Sequence, residues 1–359
     1  MQWLSKGLSL ILLGVPSFAT GSGHGNPIYV SNGQSIQSAI ASAPPGSQII
    51  VTAGTYAEQL TIKTDGITLV GHGAILTPPA SPTQNECTGL AGPDTNAGIC
   101  IVGSQVALAD FVVEHRKVIS VGRRVKNVAV TGFDVRGFSG PSITAVGGEN
   151  VAITGNHLFD GAQYGALSVG SLGSTIDNNA IESTGDLKFI GICMDDNLGG
   201  GVTVKQNTIQ GYVIALCIQT NHAQVSNNDA TNCCIGASLD PSIDGIQLTA
   251  NHFGPTDPRC AQGDPPPGAY GVLIAGSINA VVKGNVIEGF TVAGGAPGAE
   301  SAAIVVLDDV FTNTGALATD NIITGNVLRN NDYDIAVLTN GTGNVVQGNV
   351  CTTPPELCG

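Results

Sequence analysis

The sequence predicts an all-β fold, a parallel β-solenoid, on three observations. Fifty of the 359 residues are Gly, whereas only 11% are charged and 4% are aromatic. That balance suits short strands joined by tight turns, and it excludes a coiled coil or helical bundle, which needs many Glu, Lys, Arg and Leu at helical spacing. Second, a short pattern recurs: an alternating apolar run, then Gly or a polar residue, then Asn. It ends at Asn156, Asn179, Asn207, Asn228, Asn251, Asn285, Asn326 and Asn349, and Phe133 holds the equivalent place one unit earlier. Third, the spacings from Phe133 are 23, 23, 28, 21, 23, 34, 41 and 23 residues, so a base unit of 21 to 23 residues carries insertions in three units.

Each unit is too short for a strand and a covering helix. Residues 151–171 hold three brief β-type runs separated by turns, which makes one rung of a solenoid. A leucine-rich repeat would need a Leu-x-x-Leu-x-Leu frame that is absent. Asn is expected at the recurring corner because it tolerates a left-handed turn and because stacked side-chain amides can bond to one another.

The first residues read as an address. Lys6 supplies positive charge, Leu8 to Val15 is an apolar run of signal-peptide length, and Ser17-Phe18-Ala19 is a small-residue cleavage site. Residues 1–19 are therefore expected to be a signal peptide, and 20–359 a single secreted domain, extracellular or periplasmic, with no membrane span. Insertions are expected at about 77–100, 253–270, 291–302 and 308–320. The only Trp, Trp3, would leave with the signal peptide. Net charge is −14 and the isoelectric point about 4.5, which excludes nucleic acid as a partner.

Export makes the nine Cys candidates for disulfides, with at least one thiol left over. Cys87 with Cys100 would close a Pro-rich insertion, and Cys351 with Cys358 would tie down the C-terminus. No Cys-x-x-Cys is present, and the His residues are not grouped with Cys at metal-ligand spacing.

The segment from Tyr29 to Tyr56, continuing through Glu58 to Ile62 and Ile67 to Gly71, together with the Asn repeat, resembles the right-handed parallel β-helix proteins of the pectin-lyase-like superfamily. Its opening is similar to that of pectin methylesterases. The resemblance covers residues 28–351 and implies about ten rungs, with a short helix near Ile36 to Ala43 capping the first. It also implies a carbohydrate-active enzyme, a polysaccharide lyase or glycoside hydrolase acting on an extracellular polysaccharide. A non-catalytic binding or surface-structural β-helix and an enzyme acting on an apolar small molecule are the alternatives.

The family's catalytic patterns are incomplete here. Gly185 to Gly191 has the outline of the pectin methylesterase strand Gly-Thr-Val-Asp-Phe-Ile-Phe-Gly, but Lys188 falls where the catalytic Asp belongs. Of the polygalacturonase motifs, Asp195-Asp196 is present, Gly71-His72-Gly73 precedes it by several rungs, and the rest are missing. No Gly-x-Ser-x-Gly elbow occurs.

In that family the strand after the variable turn floors the cleft. Here it would run through 165–170, 191–196, 215–220, 236–240, 271–276, 303–308 and 334–339. Alternation assigns Ile192/Met194, Leu216/Ile218, Ala237/Leu239, Val272/Ile274, Ile304/Val306 and Ile335/Val337 to the core. The outward column reads Val169, Asp195, Gln219, Asp240, Ala275, Leu307 and Leu338. At about 4.8 Å per rung, Asp195 and Asp240 would stand roughly 9 to 10 Å apart, a separation at which an acid and a base can flank a glycosidic bond with a water between them. The same oxygens, with Asp196 or Asp244, could hold Ca²⁺. Gln219 and, in the turn beyond it, His222 are candidate substrate contacts. Lys188 and Arg259, the latter on the 253–270 insertion, are candidate bases. Cys193 and Cys217 stack one rung apart within disulfide reach. The rest of the outward face is Leu, Val and Ala, with no Trp or Phe to stack on a sugar. Such a face is either covered by insertions or binds something apolar.

Overall fold

The computed structural model describes residues 26–196, 199–262, 267–292, 301–309, 312 and 314–359. The expected signal peptide, residues 20–25 and most of the 291–302 insertion lie outside them. Three long parallel sheets run the length of the chain, one of twelve strands and two of ten. Each coil contributes one strand to each sheet in turn, as in Ala152–Thr154, His157–Phe159 and Tyr164–Val169, so neighbours in a sheet are one unit apart in sequence.

Register is fixed at the corner between the first two sheets. Asn156, Asn179, Asn207, Asn228, Asn251, Asn285, Asn326 and Asn349 are all buried there. Each Nδ2 and each backbone N–H donates to the Oδ1 of the next Asn: from Asn207 to Asn228 the distances are 2.9 and 3.1 Å. Nδ2 also reaches a carbonyl of the preceding coil, as Asn228 does to Val204 at 3.1 Å. Phe133 heads the ladder, its N–H donating to Asn156 Oδ1 at 3.1 Å. The left-handed residue, however, is the one before each Asn. Gly155, Asn178, Gln206, Asn227, Ala250, Gly284, Gly325 and Gly348 have φ between 54° and 65°. The recurring Asn is there for its amide, and its tolerance of a left-handed φ is not what the corner uses.

The core lies between the three sheets, filled by Ile, Val and Leu from each coil. The core set predicted for the third sheet is buried throughout, except that Val337 in the last coil is 39% exposed. The N-terminal end is closed by the helix Ile36–Ser42, whose Ser35 Oγ accepts from Ser38 N. Glu58 accepts from the first free N–H groups, Ile36 and Gln37, at 2.9 and 3.0 Å. Disulfides join Cys87 to Cys100 and Cys351 to Cys358, as expected, and also Cys234 to Cys260. Cys193, Cys217 and Cys233 are free. No helix among the described residues is long and apolar enough to cross a membrane.

Replacing Asn228 by Ala would strand the buried backbone N–H of Asn207, whose Nδ2 keeps the Ile176 and Lys205 carbonyls. An unpaired buried donor of this kind costs about 1 to 3 kcal/mol, so Asn228→Ala should lower unfolding free energy in urea by at least that much. Ala250→Gly, which relieves a left-handed Cβ, should instead raise it by up to about 1 kcal/mol.

Candidate active site

The outward face of the third sheet is not bare. The chain leaves that sheet at Val102 and rejoins the first only at Ala129. Between them it forms an antiparallel hairpin, Ser104–Leu108 with Val118–Arg123. This arm lies on the third sheet: Val118 is buried against Leu167, Val169 and Cys193, with Val106, Leu108 and Val121 packed beside them. Two glycines make room for it. A Cβ on Gly170 (φ +56°) would come within 2.7 Å of the Val118 side chain, and one on Gly147 (φ +63°) within 2.8 Å of Val121. Arg124 donates to the carbonyls of Gly148 and Gly170, and Arg116 to that of Ala109 at 2.7 Å, which pins the base and the bend of the arm.

The bend, residues 109–117, delivers side chains onto the polar centre of the outward column. His115 is buried, with Nε2 3.1 Å from Asp195 Oδ2 and Nδ1 3.0 Å from the Tyr164 hydroxyl. A carboxylate only accepts, so Nε2 donates and Nδ1 is left to accept from Tyr164. Burial holds the phenol well above its ordinary pKa, in keeping with that donor role. Lys117 Nζ stands 3.8 Å from Asp195 Oδ2, while most of its side chain is exposed. The other oxygen of Asp195 is buried without a hydrogen-bond partner.

One rung on, Gln219 Nε2 donates to Glu114 Oε2 at 2.6 Å and to Asp240 Oδ2 at 2.7 Å. A trigonal NH₂ group bonded to both oxygens sets them roughly 4.5 to 5 Å apart. Burial, and after it the neighbouring Glu114, pushes the Asp240 carboxyl up to about 7. Glu114, Gln219 and Asp240 line a groove of about 520 Å³ with Lys117 and Ser238. The groove is also lined by aliphatic side chains, Val112 and Val113 on the arm and Ile214, Ile235 and Leu273 on the sheet. Beneath it the Cys193 and Cys217 sulfurs lie 2.7 Å apart. Burial lifts the Cys193 thiol to about 12 and Cys217 well above the usual thiol range, so neither is a nucleophile at neutral pH.

The structure thus sorts the predicted residues. Asp195, Gln219 and Asp240 do form one column, register pairs Val169 with Asp195 and Leu239 with Ile218. Asp195 and Asp240 nevertheless take different partners, and Asp195 is sealed from solvent. Asp196 points the other way, accepting from Ser171 N at 2.7 Å and Ser168 Oγ at 3.0 Å, and burial raises it to about 7. Asp195, Asp196 and Asp240 therefore do not converge on one ion. Of the two ligand-like groups among the described residues, Asp334, Cys351 and Cys358 has its sulfurs joined in a disulfide, and Glu114, His115 and Cys193 is a mixed set unsuited to Ca²⁺. Lys188 opens the strand that Asp195 closes, Lys188–Asp195, which puts the two roughly 23 Å apart at about 3.3 Å per residue. Arg259 is held at that same remote end, paired with Asp257 at 2.7 Å and with the Gly185 carbonyl at 2.8 Å. His222 is an exposed turn residue at φ +57°. Besides the sheet, the lining comes from the arm and from Thr312 on the 308–320 insertion, with none of the described residues of 253–270 in it. The sequence signal for the arm was the gap between Val102 and Ala129, far longer than the link from Val146 to Ala152 one coil later.

No protein-family model matches the chain, nor does any curated protein. Solved structures do match. An alginate lyase from Paenibacillus sp. str. FPU-7 aligns with a TM-score of 0.59 at 16% identity, over 87% of this chain and 99% of that one. The fold is a right-handed parallel β-helix. DFA-IIIase from Arthrobacter chlorophenolicus A6, without its lid and in complex with GF2, aligns at 0.56 and 16% identity over 84% and 83%. The Dettilon tailspike protein aligns at 0.52 and 16% identity over 88% of this chain and 62% of its own. Identities this low carry the fold and leave activity to the site.

Because the folded Asp240 pKa lies above its unfolded value, its stabilising share is full below about pH 4 and is lost as pH rises through about 7. Asp240→Asn, which cannot ionise, should gain stability relative to the parent between pH 4 and pH 8 in paired denaturant titrations. A gap that stays constant with pH would contradict the raised carboxyl.

Proposed function

We propose that the protein is an exported, single-domain carbohydrate-active enzyme of the glycoside hydrolase type. The observation that carries this is the pair of carboxyl groups, Glu114 and Asp240, held on one Gln219 amide at the floor of an open groove. A spacing of about 5 Å is that of glycosidases in which one carboxyl is the acid and the other the nucleophile. Asp240, raised to about 7, is the group still protonated near neutrality, and Glu114 is the attacking carboxylate. Asp240 would protonate the glycosidic oxygen while Glu114 bonds to the anomeric carbon and the leaving alcohol departs. Asp240, now ionised, would then take a proton from water, which displaces Glu114 and releases the sugar with retained configuration. Asp195, His115 and Tyr164 would position the arm beneath, and Lys117 would offset the local negative charge.

The three disulfides fit an oxidising compartment, in keeping with export. The likeness of the opening segment to pectin methylesterases bears on fold, since Lys188 replaces their catalytic Asp and lies at the remote strand end. A lyase acting on a polyuronate is the second reading, favoured by exposed Lys117 beside the groove. The Glu114 carboxylate would repel such a substrate, which favours the hydrolase reading.

On a panel of neutral glycosides and polyuronates, new reducing ends without an ultraviolet-absorbing unsaturated product are expected. Asp240→Asn and Glu114→Gln should each lower kcat about 10²- to 10⁴-fold. Lys188→Ala and Arg259→Ala should change it little. For the parent, kcat/KM should fall as pH rises through about 7. Unsaturated uronate, or full activity in either carboxyl variant, would sink the hydrolase reading.

A further inference from the structure

Resting on the hydrolase reading, we infer the substrate class: a glycoside whose aglycone is apolar, alkyl or aryl-alkyl, rather than a further run of sugars. The groove has two kinds of lining. Glu114, Gln219, Ser238 and Asp240 offer the hydrogen-bonding groups a sugar ring needs at its anomeric carbon. Val112, Val113, Ile214, Ile235 and Leu273 give it an aliphatic surface, and Asp110, His115, Lys117 and Thr312 also line it.

Val112 and Val113 are 81% and 70% exposed, two adjacent aliphatic side chains presented to solvent on an arm whose other valines are packed against the sheet. Most of the described outward face is covered: Leu167, Val169, Cys193 and Cys217 by the arm and the 77–100 insertion, and Val305 and Ala336 within a second cluster around Cys234–Cys260. Aliphatic side chains are left open beside the carboxyl pair and at the last coil, where Leu338 is 58% exposed.

A sugar bound against the aliphatic surface of the groove would lose water from its hydroxyls without gaining partners, at a cost that abolishes useful binding. It would also find no Trp, Tyr or Phe to stack on among the described residues that line the groove. An alkyl chain suffers neither loss, and it gains from every methylene it removes from water. The leaving group of the hydrolase step emerges on the Asp240 side, because the acid protonates the bond to it. Leu273, on the next rung, pairs with Ser238 two residues before Asp240, so the sheet offers an aliphatic floor on the aglycone side.

The test compares methyl, butyl and octyl glycosides of glucose, galactose, mannose and xylose, in both anomers and below the micelle concentration. For the sugar that is turned over, kcat/KM should rise about two- to fourfold per methylene until the wall is covered. In a Val112→Ser/Val113→Ser double variant the octyl-to-methyl ratio should fall at least tenfold; both side chains are exposed, so the fold is not at stake. A ratio near one in the parent, with Glu114- and Asp240-dependent hydrolysis intact, would overturn the aglycone inference and leave the hydrolase reading standing. If none of the glycosides is hydrolysed, calorimetric binding of octyl glucoside against glucose decides the inference alone. Tighter binding of the octyl compound, lost in the double variant, supports the apolar site. Equal binding, or a change confined to self-association of the protein, overturns it.

Discussion

The buried Asn ladder is the constraint on which everything else depends. Each amide accepts two hydrogen bonds from the coil before and donates to the coil after, so a slip of one residue in any coil would orphan buried donors and acceptors on both sides. With register locked, residues at equivalent places in successive units form straight columns one rung apart. Gln219 stands between Asp195 and Asp240 because the ladder forbids any other alignment. A site made of one column and a single arm laid across it needs no further architecture.

The second consequence concerns the outward face of the third sheet. Its columns are largely aliphatic, and a β-helix leaving that face bare would expose an apolar surface along much of its length. The arm and the 77–100 insertion bury it at one end, and the Cys234–Cys260 region at the other. Between these covers the polar residues are open, and there the arm sets Glu114 opposite Asp240. Holding two carboxyl groups on one amide in a partly desolvated groove is unfavourable when both are ionised. That repulsion, added to burial, is why Asp240 keeps its proton to about pH 7. The same strain that destabilises the folded chain at neutral pH prepares an acid for catalysis.

Much of this was legible in the sequence because solenoids translate periodicity into position directly. The unit length, the core set and the column holding Asp195, Gln219 and Asp240 follow from repeat and alternation, and the capping helix from the resemblance of the opening segment. What escaped was aperiodic. The segment from Ser104 to Arg123 has no ladder Asn, and nothing local says that it folds back across the sheet, so Glu114 and His115 were not visible as site residues. Lys188 misled because nearness in sequence was read as nearness in space, whereas an extended strand carries its first residue some 20 Å from its last at about 3.3 Å per residue; Arg259 misled because its insertion was expected to wall the site and instead holds it at the other end. The split between Asp195 and Asp240 likewise depended on which partner the arm brought to each.

The central claim is that Glu114, on the arm, is the group that bonds to the anomeric carbon. It is tested most directly by trapping the enzyme with 2-deoxy-2-fluoro glycosyl fluorides and locating the label by peptide mass spectrometry. The account predicts one stable sugar ester, on Glu114, in a product stream of retained anomeric configuration. Label on any other side chain, or turnover with inverted configuration and no trapped ester, would contradict it.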